Sequence, residues 1–194
     1  MTSVYLLLDM QNELVNLDGP AGKGPMAELL RTRQTVDKAA HALHKAREAG
    51  IAVGFVRVGF SPDYHECPKG SPLFSAAPKF GMFKLGEWGT EIHPALQQRP
   101  GDIQATKHRV SPFYSTTLMA QLSAQGIRRI YCSGVSTQAV VQACVRDAHD
   151  RDFEVVVLED ACCAHSLQEH QNSIGSIARF CKVTTVDEVV FAAA

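Results

Sequence analysis

Short runs of consecutive apolar residues alternate along this chain with longer segments whose apolar positions recur every three or four residues. The runs at 4–9, 51–58, 103–107, 129–133, 153–159 and 183–185 read as strands, the first of them buried on both faces. Between them, 25–49, 116–125, 137–150 and 167–180 carry helical periodicity. In the longest, Met26, Leu29, Leu30, Val36, Ala39, Ala40 and Leu43 form the stripe and Gly50 the stop. A C-terminal turn is expected at 186–191. Strands alternating with helices, joined by right-handed crossovers, predict an α/β, three-layer doubly wound fold with a parallel sheet of about six strands. One domain is expected over 1–194.

Ligands of such sheets bind at the carboxyl ends of the strands, which singles out Asp9, Val58, Lys107, Gly134 and Asp160. The stretch from Gly59 to about Thr90 lacks periodicity and is too long for an ordinary connection, so a functional loop is expected there. Phe60, Tyr64, Phe74, Phe80, Phe83 and Trp88 crowd it, either packing the loop down or walling an apolar pocket.

Composition narrows the partners. Of 194 residues, 45% are hydrophobic, enough for one sizeable core. Nineteen basic against twenty acidic residues leave a formal charge of -1 with no like-charge run. Neither nucleic acid nor an anionic membrane is indicated, and a small-molecule substrate fits better. The apolar run after Met1-Thr2-Ser3 is far shorter than the ~20 residues that span a bilayer and lacks a basic leader, so a cytoplasmic location is expected. Six cysteines without a CxxC pair read as reduced, buried thiols. No cofactor and no structural zinc site are expected.

Asp9 closes an apolar run, where partial desolvation would raise its pKa and make it a proton donor or acceptor; a turn-capping Asp is the alternative. Lys107 closes the short strand expected at 103–107, at the same edge. Facing one another, the two would form an acid–base pair whose ammonium holds the carboxylate's charge and polarises a substrate oxygen. The turn Gly134-Val135-Ser136-Thr137-Gln138-Ala139-Val140 leads from strand to helix, where free N–H groups would stabilise an oxyanion or depress a thiol pKa. No thiol stands there. Cys144 lies a turn deeper, where a buried apolar role is expected. Asp63-Tyr64-His65 imitates the start of a metal site, but only His93 follows before Lys107, so no metal is expected.

Four blocks in this order and spacing carry a family resemblance: Leu7-Leu8-Asp9-Met10-Gln11-Asn12; Lys107-His108-Arg109-Val110-Ser111-Pro112-Phe113; Gly134-Val135-Ser136-Thr137 with Asp147-Ala148; and Val157-Leu158-Glu159-Asp160-Ala161. Together they resemble the isochorismatase-like (cysteine hydrolase) superfamily, in which amidohydrolases use an Asp–Lys–Cys triad and isochorismatases keep Asp and Lys but put a small residue in place of Cys. The resemblance implies that Asp9 and Lys107 are catalytic and that Val140 holds the nucleophile position without its Cys. It implies an oxyanion turn at Val135, Ser136 and Thr137, with a cis peptide between the first two. Gln11, Phe60, Trp88 and Phe113 are the candidate pocket residues, although apolar Val58-Gly59-Phe60 stands where isochorismatases have a substrate-contacting glutamine. The function expected is hydrolysis of a small molecule through an Asp/Lys site, of the vinyl-ether or a related non-covalent type. An inactive binding or scaffold protein, or a divergent amidase, is the alternative. A homodimer or homotetramer is expected from the aromatic loop and the resemblance.

Overall fold

A computed structural model describes residues 2–192. Its elements are β1 (Ser3–Leu8), the short α1 (Asn12–Val15), α2 (Ala27–Thr32), α3 (Thr35–Glu48), β2 (Ala52–Val58), α4 (Ala77–Phe80), β3 (Ile103–Lys107) and α5 (Leu118–Ala124). They continue with β4 (Arg129–Val135), α6 (Gln142–His149), β5 (Glu154–Cys163), α7 (Leu167–Ile177) and β6 (Lys182–Thr184). The six strands form one parallel sheet in the order β3-β2-β1-β4-β5-β6.

Every residue of β1 is buried, because successive side chains enter opposite cores. Val4, Leu6 and Leu8 pack into a layer with Leu118 and Leu122 of α5 and Val145 and Ala148 of α6. Tyr5 and Leu7 point the other way, into a layer with Ala39, Ala42 and Leu43 of α3 and with Val189 and Phe191. A strand apolar on both faces is what a sheet covered by helices on both sides demands.

The order reverses at β1, which has β2 on one side and β4 on the other. This is the switch point where a doubly wound sheet opens a crevice above its carboxyl ends. Gly134 brings the two strand ends together. It sits at φ 152°, opposite Leu8 in register, and a Cβ there would stand 2.1 Å from the Leu8 carbonyl oxygen.

Several sequence-predicted boundaries differ. The helix expected over 25–49 is two helices, because Gln34 takes a left-handed conformation at φ 52°. The Thr32 hydroxyl donates back to the Glu28 carbonyl (3.0 Å), and Arg33 turns to Glu159 (2.8 Å). The helix expected from residue 137 opens with a wider π-type turn over Thr137–Val141 before α6 begins. The strand expected to close at Glu159 runs on to Cys163, with a register shift against β4 between Cys132 and Gly134. Asp160 therefore lies inside β5 rather than at its end. Its carboxylate takes hydrogen bonds from Lys38 Nζ (2.7 Å) and the Val186 N–H (2.9 Å), a structural role away from the crevice.

Candidate active site

Asp9 follows the last residue of β1 and leaves the strand in a left-handed conformation, φ 56°, which Asp tolerates better than most residues. Its N–H remains tied to the Val56 carbonyl (2.8 Å), so the reversal swings the side chain over the sheet edge without freeing the backbone. Lys107 ends β3 and reaches across β2, placing Nζ 2.8 Å from Asp9 Oδ2. Both are buried, the lysine 1% and the aspartate 4% exposed.

The ammonium also donates to the Arg109 carbonyl (3.1 Å). No hydrogen bond of good geometry reaches Asp9 Oδ1, although it is buried. Burial pushes the Asp9 carboxyl above the ordinary carboxylate range, and Lys107 opposes that shift without cancelling it. The pair thus sets a carboxyl whose pKa burial raises beside the Lys107 ammonium.

A cavity of about 230 Å³ opens over this pair. Asp9, Lys107 and Val58 line it at the strand ends, and Val135, Ser136, Gln138, Ala139 and Val140 line it from the turn after β4. Leu14 and Met26 face it from the segment after β1, and Leu73, Phe74, Phe83 and Val110 from the loops after β2 and β3. His165, exposed, lines it beyond the end of β5. Val140 is 1% exposed and carries an apolar side chain into this wall.

The Val135–Ser136 peptide is cis. Ala139 and Val141 N–H groups donate to the Ser136 carbonyl (3.1 and 3.4 Å), which closes the turn. Thr137 faces away from the cavity: its hydroxyl shares a hydrogen bond with the buried His170 Nδ1 (2.9 Å). His170 Nε2 in turn meets Glu159 (2.9 Å), which also accepts from Arg33. A partly buried chain of partners therefore holds the turn from behind.

None of the four pocket candidates lines this cavity. Gln11 is buried beneath it, its amide donating to the Val58 carbonyl (3.0 Å) and accepting from the Val58 N–H (2.9 Å), so it pins β2. Phe60 is fully buried and packs edge-on to Phe74 at 5.7 Å between ring centroids. Trp88 is about half exposed and lies against Gly19, where a Cβ would meet its ring at 2.6 Å. Phe113 stacks on Phe153 (6.1 Å) under the Arg151 guanidinium (5.3 Å), inside the core beside α5 and α6.

The long loop is aromatic for both of the expected reasons. Phe60, Phe74 and Phe83 pack it into a small core of its own, and Phe74 and Phe83 also wall the cavity. The Phe83 N–H donates to Glu13 Oε2 (2.8 Å), fastening the loop to α1. Asp63 and His65 pair with each other on the surface (2.7 Å), and among the described residues no group of three His, Cys, Asp or Glu is placed to hold a metal. Cys144 is fully buried and outside the cavity.

Gln138 and His165 were missed by reading the sequence. Gln138 had a signal, being the one amide in the turn Gly134–Val140; His165 had only its place a few residues beyond an expected strand end.

Residues 3–188 match the isochorismatase domain. The chain belongs to the isochorismatase family. An isochorismatase family protein from Escherichia coli O157:H7 is 33% identical over 191 residues, covering 97% of this chain and 95% of that one. A ureidoacrylate amidohydrolase from Methylorubrum extorquens is 33% identical over 172 residues, with 82% and 69% covered. The crystal structure of an isochorismatase family protein from Desulfovibrio vulgaris superposes with a TM-score of 0.84 at 25% identity, covering 96% of this chain and 95% of that one. The fold is that of the isochorismatase family, whose members are hydrolases, and this chain is a hydrolase of that class. No helix among the described residues is long and apolar enough to cross a membrane.

Proposed function

We propose that the protein hydrolyses a small molecule by acid–base chemistry at Asp9 and Lys107, without a covalent intermediate. The observation that carries this reading is the buried Asp9–Lys107 pair, 2.8 Å apart, on the floor of a cavity whose adjoining wall carries Val140. By the resemblance, Val140 occupies the nucleophile position, and an alkyl side chain cannot form a thioester.

Enol-ether (vinyl-ether) hydrolysis needs no nucleophile from the protein. Asp9 delivers its proton to the terminal alkene carbon, which leaves an oxocarbenium ion. Water attacks that cation and returns a proton to the Asp9 carboxylate. The resulting hemiketal collapses to a ketone and an alcohol. Burial raises Asp9's pKa and so favours its acid form, and the Lys107 ammonium stabilises the carboxylate formed when the proton leaves.

The named relative is an amidohydrolase, which makes a divergent amidase the second reading. The two are separated by offering enol ethers and amides to the purified protein and repeating the assay with Asp9→Asn and Cys144→Ala. Asp9-dependent, Cys144-independent enol-ether cleavage supports the proposal. Amide cleavage that depends on Cys144 contradicts it. No turnover on either kind of substrate counts against both readings.

A further inference from the structure

One wall of the cavity is tied to distant elements through a single imidazole. Ser136, Gln138, Ala139 and Val140 line the cavity, and Ser136, in the capping position, gives the turn no side-chain hydrogen bond. Thr137, among them, is fully buried, lies outside the cavity and meets His170 Nδ1 at 2.9 Å. His170, 2% exposed, belongs to α7, while its other partners come from β5 (Glu159) and from the link between α2 and α3 (Arg33).

Counting hydrogens fixes which ring nitrogen carries one. Arg33 Nη2 has two, and its nearest acceptors are Glu159 Oε2 (2.8 Å) and the Glu159 carbonyl (2.9 Å). Neither is left for His170 Nε2, 3.2 Å away, so Nε2 bears its own hydrogen and donates it to Glu159 Oε2 (2.9 Å). Hydrogen bonds from His170 and Arg33 accordingly hold the Glu159 carboxyl below its ordinary range. A second ring proton, on Nδ1, would set an imidazolium against the Arg33 guanidinium with one carboxylate between two cations. Nδ1 is then the acceptor, and the Thr137 hydroxyl donates to it.

Hydroxyl, imidazole and carboxylate stand in the order of a hydrolytic triad, but the Thr137 oxygen is buried and outside the cavity, so the arrangement orients backbone instead of attacking a substrate. We infer that His170 is a positioning residue: as an Nε2–H imidazole anchored to Glu159, it holds the Thr137 hydroxyl and so keeps the Ser136–Val140 wall set against Asp9. A wall that wavers admits substrate without holding its reacting atom at the Asp9 carboxyl, which lowers kcat more than it raises KM. That effect on turnover rests on the Asp9 reading proposed above; the hold on the turn does not.

Long-range proton–nitrogen spectra of the histidine rings, with His170 assigned through bonds, test the tautomer. Nε2 should appear protonated and Nδ1 as a hydrogen-bonded acceptor, and in Thr137→Val the Nδ1 resonance should move to that of a free acceptor. Ala139 and Val141 close the turn on the Ser136 carbonyl, and exchange of their amides should quicken about tenfold in Thr137→Val, the worth of one hydrogen bond. Exchange of Leu6 in β1 should stay as it was. On the enol ether 2-benzyloxyacrylamide, kcat should fall about tenfold in His170→Leu, with KM changed less. His170→Asn, whose amide oxygen stands where Nδ1 does, should recover most of that loss, which a role confined to core packing does not predict. A protonated Nδ1, turn amides that exchange unchanged in Thr137→Val, or His170→Asn no better than His170→Leu overturns the inference. Should the variants not fold, the ring spectrum of the unaltered protein decides alone. Absence of turnover would count only against the Asp9 reading, because the ring and exchange measurements need no substrate.

Discussion

Leu8 and Gly134 face one another at the ends of β1 and β4 so closely that no side chain fits between them; the first atom of one would lie 2.1 Å from the Leu8 carbonyl oxygen. That contact holds Asp9, one residue beyond Leu8, beside the turn that carries Ser136 and Val140. Gly134→Ala must separate the strand ends and also adopt φ 152°. We expect a loss of about 2–4 kcal/mol in unfolding free energy, measured by urea denaturation, with loss of any Asp9-dependent activity. A change under about 0.5 kcal/mol, the scale of neutral surface substitutions, would mean that the close approach does not constrain the site.

Val140→Cys should convert the chemistry. A thiol there would line the same cavity as the Lys107 ammonium, in the turn that leads into α6, surroundings that favour thiolate. The variant should gain amide hydrolysis at least about tenfold above the unaltered protein and show an acyl-enzyme mass, at a stability cost under about 1.5 kcal/mol for so small a change in volume. A variant that stays folded, with its thiol alkylated by iodoacetamide yet no amide turnover, would show that Val140 is not at the nucleophile position.

The long loop has its own pH dependence. Glu66 accepts from the Ser61 N–H (3.0 Å) and hydroxyl (2.8 Å), and these bonds hold its carboxyl down at about 2. A lowered carboxyl pKa contributes stability that is complete above the unfolded value of about 4.3. That contribution is lost as pH falls toward 2. Exchange of the Ser61 amide, measured by NMR and corrected for intrinsic rates, should accelerate across that interval. Glu66→Gln should abolish the step, and its survival in that variant would remove Glu66 as the cause.

The same loop exposes Leu73 and Phe80, 59% and 66% accessible, and Leu73 also lines the cavity beside Phe74. Large apolar groups exposed on one loop are what an interface between subunits would cover. We expect light scattering at micromolar concentration to give a multiple of the 21.1 kDa chain mass, and Phe80→Glu to shift it toward the monomer. A 21.1 kDa particle before any substitution contradicts the expectation.

How legible the site was in the sequence follows from what each residue answers to. The pairing of Asp9 with Lys107 could be anticipated because each lies at the end of an expected strand, and a parallel sheet places those ends at one edge. The strand pattern was legible as well: β1 buries all six residues, which no surface strand does. Gln11, Phe60, Trp88 and Phe113 were misplaced because adjacency to a motif says nothing of side-chain direction. Gln11 turns down to Val58, and Phe113 into the core against Phe153. The break at Gln34 and the extension of β5 past Asp160 are set by long-range partners, Glu159 for Arg33 and Lys38 for Asp160. No local pattern encodes them.

The most direct test of non-covalent acid–base hydrolysis is product analysis on 2-benzyloxyacrylamide, an uncharged compound that offers an enol ether and a primary amide in one molecule. Protonation at the terminal alkene carbon and addition of water yield benzyl alcohol and pyruvamide; attack at the amide yields ammonia. We predict release of benzyl alcohol without ammonia. That rate should drop at least ~100-fold in Asp9→Asn, the usual worth of a general acid, and stay nearly unchanged in Cys144→Ala. Because Asp9's pKa is raised, the rate should fall as pH rises through an apparent pKa above the ordinary carboxylate range. Release of ammonia that survives in Asp9→Asn and disappears in Cys144→Ala would contradict the account.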